Sequence, residues 1–453
     1  MPPHADAVAD CVLAGFHTLP AKFKPRNLAD ARREWVPLAG IVLSRERSPS
    51  PSDSNFPLDL TDTHHDRPSN DLTCAALATG MKCLPQTKLQ SAGGNVLHDW
   101  HAEVLAIRAF NRFLVDECAE LAQRGLGGES AWVRWRRRVD DEVEPKRLNE
   151  LQQDNEAGAV PSKDGAPWQE QPFELHEDVC IDMYVSDAPC GDASMELVMA
   201  EQDDATPWEN VADGMPGRGN FDRLGVVRRK PARPDAPATV SKSCSDKLAL
   251  KQCTSLLSGP TSLLVCPERC YLRRLVLPFE RCVPTATQRA FGKDGRMKPV
   301  TGADLQSKWE QDGYSFKPFE VATTSRRFAY EKTPGAAASN ISVFATPYRR
   351  EVLINGVLQG RKQFDPKGAS SVSRRKMLHG IAGILDEIGQ QDSALSDLLG
   401  KLGEQTHAWL KSEAMFLGRQ AVKEDVRTLA LKGWERNVGD GDWSLDHEAH
   451  AGA

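Results

Sequence analysis

The chain lacks the features that mark membrane, secreted and broadly nucleic-acid-binding proteins. It has no apolar run of about eighteen residues, the length that a membrane-spanning helix needs. Its opening stretch, MPPHADAVADCVLAGF, has no basic segment before a long apolar core, so we expect no secretory signal peptide. The 11 cysteines follow no regular spacing, and the net charge is −6. These absences predict residence in the cytoplasm, the nucleus or both, with reduced thiols and no general affinity for nucleic acid.

The pattern of apolar residues predicts an α/β fold. With 40% hydrophobic residues, the 453-residue chain can bury a sizeable core. The predicted elements, in chain order, are a helix over 5–19, strands over 35–44 and 72–84, a helix that opens near residue 100, and a strand followed by a helix within 179–200. The region after residue 241 ends in helical stretches that reach about Trp434. This order favours a sheet with helices packed on its faces.

Three polar segments interrupt this pattern. Residues 45–70, 132–172 and 201–240 are rich in charged residues, Ser, Pro or Gly and poor in apolar ones. Such composition is typical of surface loops that cannot bury enough apolar area to order themselves. We expect flexible insertions at these places.

The stretch LHDWHAEVLAIRAF (97–110) places a histidine and a glutamate at the opening of an apolar helix. Asp99 is predicted to be the N-cap, which puts His101 and Glu103 in the first turn, where side chains can face a site. Taken alone, the stretch fits a buried histidine beside a surface glutamate equally well.

A second stretch, SDAPCGDAS (186–194), favours the chemical interpretation. Zinc-dependent deaminases carry H-x-E and then P-C-x-x-C at the start of a second helix. Pro189 is predicted in the first turn of that helix, where a missing N–H costs nothing. The helix N-terminus is then expected to lower the pKa of Cys190. His101 and Cys190 would be metal ligands, and Glu103 would move protons.

The signature is broken at Ala193, where a cysteine would supply the third ligand. A catalytic zinc site uses three protein ligands and a water molecule, so the third ligand must come from elsewhere. The candidates are Cys244 in SKSCSDKLAL and the pair Cys266 and Cys270 in CPERC. Cys266 ends an apolar run and fits a core position, whereas Cys244 lies among small polar residues near Lys247, at a predicted helix start. We therefore favour Cys244, and expect most other cysteines, including Cys83, to be core thiols.

The motifs DWHAE, SDAPCGDAS and SCSDK, in that order and far apart, resemble the deaminase domain of the adenosine deaminases acting on RNA, and most closely their eukaryotic tRNA-specific branch. The stretches LPAKFKPR, TTSRRFAYEK, EVLINGVLQGRK and KGWERNVGDGDWSL agree, so the similarity runs from about residue 10 to 445. The resemblance implies a single domain with a cytidine-deaminase-like sheet, helices on its faces and a helical C-terminal portion. It also implies one zinc ion held by His101, Cys190 and Cys244.

The resemblance further implies hydrolytic deamination of adenosine to inosine in tRNA. Zinc would lower the pKa of a water molecule, the resulting hydroxide would attack C6 of adenine, and Glu103 would carry the protons and help ammonia leave. In that branch of the family the expected target is the adenosine just 3′ of the anticodon of tRNA-Ala. A loop base is already unpaired, so it costs less to extrude than a paired one. Neither DNA nor a membrane is an expected partner, and no protein partner follows from the sequence.

A basic stretch supplies candidates for RNA binding. Residues 321–380 contain 11 Lys or Arg and 3 Asp or Glu, against a chain that is acidic overall. Interleaved aromatic residues could stack on bases while the cations follow phosphates. A solvated basic face is the competing interpretation. The RNA-binding candidates are Arg326, Arg327, Arg349, Arg350, Arg361 and Lys362.

The resemblance also implies a buried inositol hexakisphosphate, held by cations and a tryptophan behind the zinc site. A polyphosphate would justify packing cations that otherwise repel one another. The candidate ligands are Lys82, Asp99, Arg108, Lys247, Arg375, Lys411, Arg419 and Trp434. The chain departs from the family pattern at Ile107, Leu250 and Lys251, which puts this cofactor in question.

Three other functions remain open. An enzyme that edits double-stranded or messenger RNA would carry separate duplex-binding domains, for which the deaminase-like stretch leaves no room. A free-nucleoside or cytidine deaminase would be shorter and would have the P-C-x-x-C spacing. A non-catalytic RNA-binding relative would lack Glu103 or a metal ligand, and all four residues are present.

Overall fold

The structure is a computed structural model, and it describes residues 3–28, 33–46, 72–136, 171–201, 223–230, 236–389 and 393–446. Most of each predicted insertion lies outside these ranges. The described parts show that two predicted insertions, 132–172 and 201–240, are not entirely exposed loops. Val133–Trp135 forms a strand, and Lys230 is buried at 5% exposure.

A mixed sheet of eight strands forms the centre of the molecule. Its strands, in spatial order, are β12 (Val357–Leu358), β11 (Arg350–Ile354), β10 (Ser342–Ala345), β3 (Thr73–Thr79), β2 (Leu38–Arg45), β6 (Val179–Val185), β7 (Arg274–Pro278) and β8 (Glu320–Thr324). Neighbours from β12 to β6 are antiparallel, and β6, β7 and β8 are parallel. Two small sheets pair β1 (Glu34–Trp35) with β9 (Ala337–Ala338), and β4 (Val133–Trp135) with β5 (Phe173–Leu175).

Helices cover both faces of the large sheet. They are α1 (Pro3–His17), α2 (Ala102–Arg124), α3 (Met195–Ala200), α4 (Cys244–Thr254), α5 (Pro284–Phe291), α6 (Ala303–Glu310), α7 (Arg374–Ile388), α8 (Ser393–Glu404), α9 (His407–Leu410) and α10 (Leu417–Leu429). Helix α1 packs on one face and α2 on the other, while α7 packs on α2 and α10 on α4. This arrangement confirms the predicted α/β fold and its helical C-terminal portion.

Strand β2 is apolar on both faces and contributes to two layers of core. Leu38 and Val42 join the apolar cluster under α1, whereas Ile41 and Leu43 join the larger cluster under α2. Side chains of successive strand residues point to opposite faces, so a strand buried on both faces is apolar throughout. Gly40 lets α1 approach closely, because a Cβ there would lie 2.5 Å from Val12 Cγ1.

The sequence located the first half of the fold better than the second. The predicted elements over 5–19, 35–44, 72–84 and 179–200 all have counterparts among the described residues. The five strands of the large sheet after residue 241 were not predicted, because each is only two to five residues long. In the described ranges, no helix is both long and apolar enough to cross a membrane.

Candidate active site

The opening of α2 places His101 and Glu103 at the edge of the large sheet where β3 and β6 end. His101 is the N-cap residue, with extended backbone angles, and α2 begins at Ala102. The prediction that Asp99 is the N-cap is therefore wrong. Asp99 instead accepts a hydrogen bond from the His101 backbone N–H at 2.9 Å, which fixes the turn that leads into the helix. Glu103 lies in the first turn, as predicted, and is buried.

Cys190 follows β6, and its setting differs from the predicted one. A 3₁₀ turn, Asp192–Ser194, comes after it, and α3 begins only at Met195. Pro189 is thus not in a first helical turn, and the helix that follows Cys190 does not stabilise its thiolate. The backbone N–H of Cys244, the first residue of α4, points at Cys190 Sγ at 3.3 Å instead. The helix N-terminus that meets Cys190 is thus that of α4 and not that of the helix that follows it in the chain.

Cys244 begins α4 directly after its N-cap residue, Ser243. The Ser243 hydroxyl accepts the Asp246 backbone N–H at 3.1 Å, as an N-cap serine does. Ser243 also confines the loop of Cys190, because a Cβ on Gly191 would lie 2.2 Å from Ser243 Oγ. Gly191 has φ +103°, a conformation that side chains disfavour. Gly191 therefore permits the close approach of the Cys190 loop to Ser243, the residue directly before Cys244.

His101, Cys190 and Cys244 present one ligand atom each, all within 4.8 Å of one another. The distance from Cys190 Sγ to His101 Nδ1 is 3.9 Å. Tetrahedral zinc, with ligands at about 2.0–2.3 Å, holds its ligand atoms roughly 3.5–3.8 Å apart. One imidazole and two thiols at this spacing are a donor set that fits zinc. Cys266 and Cys270, the alternative ligands, are buried elsewhere in the core.

A second group of possible ligands shares His101 with Cys83 and Asp99. Asp99 Oδ2 is already engaged, since Lys230, Lys247 and Ser241 all donate to it. The first group is therefore the better metal site. Cys83 lines the cavity described below, which corrects the expectation that it is a core thiol.

Lys230 connects the thiols to Asp99 and was missed by the sequence analysis. Its Nζ lies 3.3 Å from Cys244 Sγ and 2.9 Å from Asp99 Oδ2. Burial alone would lower the pKa of Lys230, but Asp99 and the two thiolates hold it well above 10.5. The residue lies in RRKP, within a segment predicted to be a flexible insertion. In the sequence, only the run of Arg228, Arg229 and Lys230 marks this position, and such a run is also typical of a surface loop.

The electrostatics of the site shift the pKa values of Glu103 and Cys190 in opposite directions. Burial raises the pKa of Glu103 above 4.5, and the Cys190 thiolate adds to this shift. A hydrogen bond with Cys244 lowers the pKa of Cys190, and Lys230 and His101 add to this effect. Carboxyl groups with a raised pKa in a cleft are typical of acid–base catalysis.

A cavity of about 770 Å³ opens onto His101, Glu103 and Cys190. Its volume lies in the range of small-molecule and cofactor sites. Trp35, Met81 and Trp100 contribute apolar walls. The cations that line it are Lys82, Lys88, Arg229, Lys230, Arg281 and Lys332. At the rim, Glu201 pairs with both Arg281 and Lys332, at 3.4 and 2.8 Å.

The six RNA-binding candidates are not among the residues that line this cavity. Three of them pair with carboxylates: Arg326 with Asp10, Arg327 with Glu331, and Arg349 with Asp116. Arg350, Arg361 and Lys362 are exposed. Of these, Arg361 and Lys362 directly precede Gln363, which does line the cavity.

The predicted polyphosphate ligands separate into two groups. Lys82 donates to Asn340 at the cavity, and Asp99 and Lys247 belong to the network around Lys230. Arg375 donates to the carbonyl oxygens of Gly93 and Ser444 and lies over Trp443. The carboxylate of Asp99 also opposes the lowering of the pKa of Arg108, so this first group acts on one of the remaining candidates, which are Arg108, Lys411 and Arg419.

Arg108, Lys411 and Arg419 instead belong to a larger set of close cations, which we name the cationic cluster. Its members are Arg108, Lys251, Arg374, Lys411, Arg419, Lys423 and Arg427. Burial and mutual repulsion lower the pKa of Arg108 to about 10 and of Lys411 to about 8. Lys251, named above as a departure from the family pattern, is a member. Trp434 borders the cluster, with Arg427 over its ring at 5.4 Å.

Several polar atoms of the cationic cluster have no partner among the described residues. These buried atoms are Nε of Arg108, Arg419 and Arg427. Buried donors without acceptors cost free energy, and buried like charges cost more. An anion with several acceptor oxygens would satisfy both, so the cluster fits a polyanionic ligand.

The fold and the site together define a class of protein. A sheet that carries a His–Cys–Cys cluster beside a buried glutamate, open to a cavity, is the arrangement of the zinc-type base deaminases. Residues 76–135 and 155–437, which are more than half of the chain, match the adenosine-deaminase (editase) domain. The chain belongs to this family.

Curated relatives carry one common name. The chain is 34% identical over 386 residues to tRNA-specific adenosine deaminase 1 of Schizosaccharomyces pombe, which covers 82% of this chain and 83% of the relative. It is 29% identical over 265 residues to the protein of that name from Saccharomyces cerevisiae, covering 56% and 53%. The human protein of that name is 26% identical over 241 residues, covering 52% of this chain and 38% of the relative.

Proposed function

We propose that the chain deaminates adenosine to inosine in tRNA, at the adenosine just 3′ of the anticodon of tRNA-Ala. The observation that carries the proposal is the meeting of His101, Cys190 and Cys244 beside Glu103 at the cavity. The names and the coverage of the relatives support tRNA as the substrate class. The particular tRNA and base follow from the resemblance described for the sequence motifs.

His101, Cys190 and Cys244 would hold one zinc ion. When bound, zinc supplies Lewis acidity that makes water a nucleophile near neutral pH. Lys230 donates toward Cys244 and keeps that thiolate and Asp99 compensated in a buried setting. Residues that hydrogen-bond to metal ligands orient them and tune their basicity.

Glu103 performs the proton transfers of the reaction. The reaction replaces the amino group at C6 of adenine with oxygen from water and releases ammonia. Glu103 accepts a proton from water, delivers one to N1 and assists the departure of the amino group. Its burial beside His101 and Cys190 places the carboxyl at the cavity wall, where the reacting base would lie.

Inositol hexakisphosphate is the polyanion that we propose for the cationic cluster. Each of its phosphates can accept several hydrogen bonds from guanidinium and ammonium groups. The unpaired Nε atoms and the depressed pKa values of the cluster support a ligand of high negative charge. Its role would be structural, since it would remove the repulsion that otherwise opposes folding.

Nucleoside analysis tests the proposed substrate. The purified chain is incubated with a tRNA-Ala transcript, which is then digested and analysed by mass spectrometry. A second transcript carries guanosine in place of the adenosine 3′ of the anticodon. We expect inosine from the first transcript alone. Inosine from both transcripts would contradict the proposed position, and none from either, with folded, zinc-loaded protein, would contradict the proposed function.

A further inference from the structure

A second cavity, of about 530 Å³, adjoins the active-site cavity. Asn340 and Asn355 line both cavities, so the two share a wall. Asn340 also accepts a hydrogen bond from Lys82, a cation of the active-site cavity. The two cavities are therefore neighbours, and an extended ligand that occupies one of them lies next to the other.

The second cavity is lined by three cations from one short segment and by no carboxylate. The cations are Lys22, Lys24 and Arg26. They alternate with Phe23 and Pro25, which are buried. The segment begins with a 3₁₀ turn, Ala21–Phe23, and its backbone is extended at Lys24. The two buried apolar residues anchor it, while Lys22 and Arg26 are exposed and Lys24 is half-buried.

The three cations retain capacity for a ligand. Lys24 donates one hydrogen bond to the His17 carbonyl oxygen at 2.7 Å, and an ammonium has three donors. Arg26 pairs with Glu34 at 3.4 Å, but its side chain remains 68% exposed. Lys22 is exposed and lies 5.5 Å from the Phe23 ring centroid. The Glu34 side chain is only 7% exposed, but it also accepts the Arg26 backbone N–H and the Ser339 hydroxyl, so it keeps two partners when the Arg26 guanidinium binds an anion.

The rest of the wall is neutral. Ile341 and Ile354 form an apolar patch, and Asn340, Asn355 and Gln359 provide amides. Asn355 has φ +55° and, with Gly356, forms the turn between β11 and β12, so its position is fixed by the hairpin. Cations beside amides and apolar side chains suit a single RNA strand, whose phosphates and bases need both kinds of contact.

We infer that the second cavity binds the phosphate backbone of the single-stranded RNA next to the target adenosine. Charge complementarity and the wall shared with the active-site cavity carry this inference, which rests on the proposed function. The segment LPAKFKPR thereby gains a role: it holds a flanking stretch of the anticodon loop while the target base occupies the active site. Phosphate contacts of this kind fix register and orientation without reading sequence.

A charge-neutralising triple variant tests the inference. Lys22→Gln, Lys24→Gln and Arg26→Gln are combined, and binding of a fluorescent anticodon stem-loop RNA of tRNA-Ala is followed by anisotropy at several salt concentrations. We expect the affinity at about 0.15 M salt to fall by roughly 30-fold. The slope of log affinity against log salt should fall by about 2, because each single-stranded phosphate contact contributes about 0.7.

The matched control removes three exposed lysines that line neither cavity, in the combination Lys293→Gln, Lys298→Gln and Lys308→Gln. Its net charge equals that of the test variant, so long-range attraction changes equally. We expect it to bind within two-fold of the unmodified chain. Equal affinity and equal salt slope for the two triple variants would overturn the inference, as would no binding of the stem-loop by the unmodified chain.

The binding assay is independent of chemistry. If the unmodified chain binds the stem-loop but forms no inosine in any tRNA, the proposed function fails. The comparison between the two triple variants would then still decide whether the second cavity binds RNA. Unfolding midpoints of all three proteins, expected to agree within about 2 °C because the altered side chains are surface groups, exclude misfolding as the cause.

Discussion

Lys230 Nζ lies 3.3 Å from Cys244 Sγ, inside the protein and beside the proposed metal site. The same ammonium bonds to Asp99 Oδ2 at 2.9 Å, and Asp99 in turn fixes the His101 backbone N–H. One buried cation therefore links two proposed ligands on different elements. The site depends on this link, since a thiolate and a carboxylate so close together would otherwise repel each other without screening by water.

Replacing Lys230 by methionine should weaken zinc binding. Loss of a residue that bonds to a metal ligand typically lowers affinity by about 10–100-fold, and we expect a loss in this range. The free energy of unfolding should fall by about 3 kcal/mol, because buried negative groups lose their partner. Competition with a chelator and urea unfolding give the two quantities.

Lys242→Met is the control for this change. Lys242 is also buried and donates to the Val240 carbonyl oxygen, and within the described part of the chain it forms no hydrogen bond with a thiol. Its replacement should leave zinc affinity within about three-fold of the unmodified chain. Equal zinc affinities for the two methionine variants would contradict the role assigned to Lys230.

Gly191→Ala should disrupt the loop that positions Cys190. A Cβ at this residue would lie 2.2 Å from Ser243 Oγ, and φ +103° disfavours any side chain. Strain and overpacking together should lower the free energy of unfolding by about 3 kcal/mol. Zinc content should fall as well, because Ser243 precedes Cys244. Both are measured on the purified variant.

Gly335→Ala separates the clash from the backbone strain. Gly335 has φ +76°, yet a Cβ there would meet no atom within 4 Å. We expect a loss of about 1 kcal/mol and unchanged zinc content. If Gly191→Ala is no more harmful than Gly335→Ala, the close packing of the Cys190 loop on Ser243 has no energetic importance.

Asp182→Asn tests a buried ion pair distant from the site. Arg273 and His4 donate to Asp182 at 2.6 and 2.7 Å. Burial would raise the pKa of the Asp182 carboxyl, but the hydrogen bonds from His4 and Arg273 hold it below 3.8. A lowered pKa means that the stabilisation is present above about pH 4 and is lost as the pH falls below it.

The variant should therefore be less stable by about 2 kcal/mol at pH 7, with a difference that shrinks below pH 4. Urea unfolding at pH 7 and below pH 4 measures this difference between the variant and the unmodified chain. Asp178→Asn is the control, because its partner Arg45 lies on the surface, with the two side chains 31% and 44% exposed. A loss below 1 kcal/mol is expected there. A constant difference across the pH range for Asp182→Asn would show that the carboxylate charge is not what stabilises this contact.

Lys423→Met should stabilise the protein in the absence of a polyphosphate and reduce the stabilisation that a bound polyphosphate gives. Burial and the neighbouring Arg419, Arg427 and Lys411 lower the pKa of Lys423 well below 10.5. Without a polyanion, removing one repelling charge should raise the unfolding midpoint. With inositol hexakisphosphate at about 100 times its Kd, the unmodified chain should gain about 2.7 kcal/mol and the variant less.

Mass spectrometry of the denatured protein shows whether the polyphosphate co-purifies with the unmodified chain. Lys298→Met, at an exposed position, should show neither effect. Identical responses of Lys423→Met and Lys298→Met to the ligand would contradict the assignment of the cationic cluster.

The sequence predicted which candidate residues lie together better than it predicted the way they are held. His101, Glu103 and Cys190 were selected because their motifs are short and local. The candidate ligand Cys244 lies beside them, and the predicted helix start there is confirmed. Asp99 and Pro189 were assigned to helix starts by local rules, but tertiary contacts with Lys230 and with α4 determine what surrounds them. Propensity and capping rules do not include such contacts.

Long-range features were beyond the sequence for similar reasons. Lys230 lies in a polar segment whose composition resembles a loop, and its burial depends on partners far away in the chain. The cationic cluster draws on α2, α4, α7 and α10, so no window of sequence contains it. The late strands β10 and β11 are too short for a reliable period, and the pairing of β10 with β3 bridges more than 260 residues.

Joint measurement of zinc and inosine tests the central claim most directly. Zinc per chain is determined for the unmodified protein, Glu103→Gln and Cys244→Ala, and each is then incubated with the tRNA-Ala transcript. The account predicts that Glu103→Gln retains zinc and forms no detectable inosine, whereas Cys244→Ala loses both. Full zinc content and inosine formation by Cys244→Ala would contradict the metal site, and full activity of Glu103→Gln would contradict the mechanism.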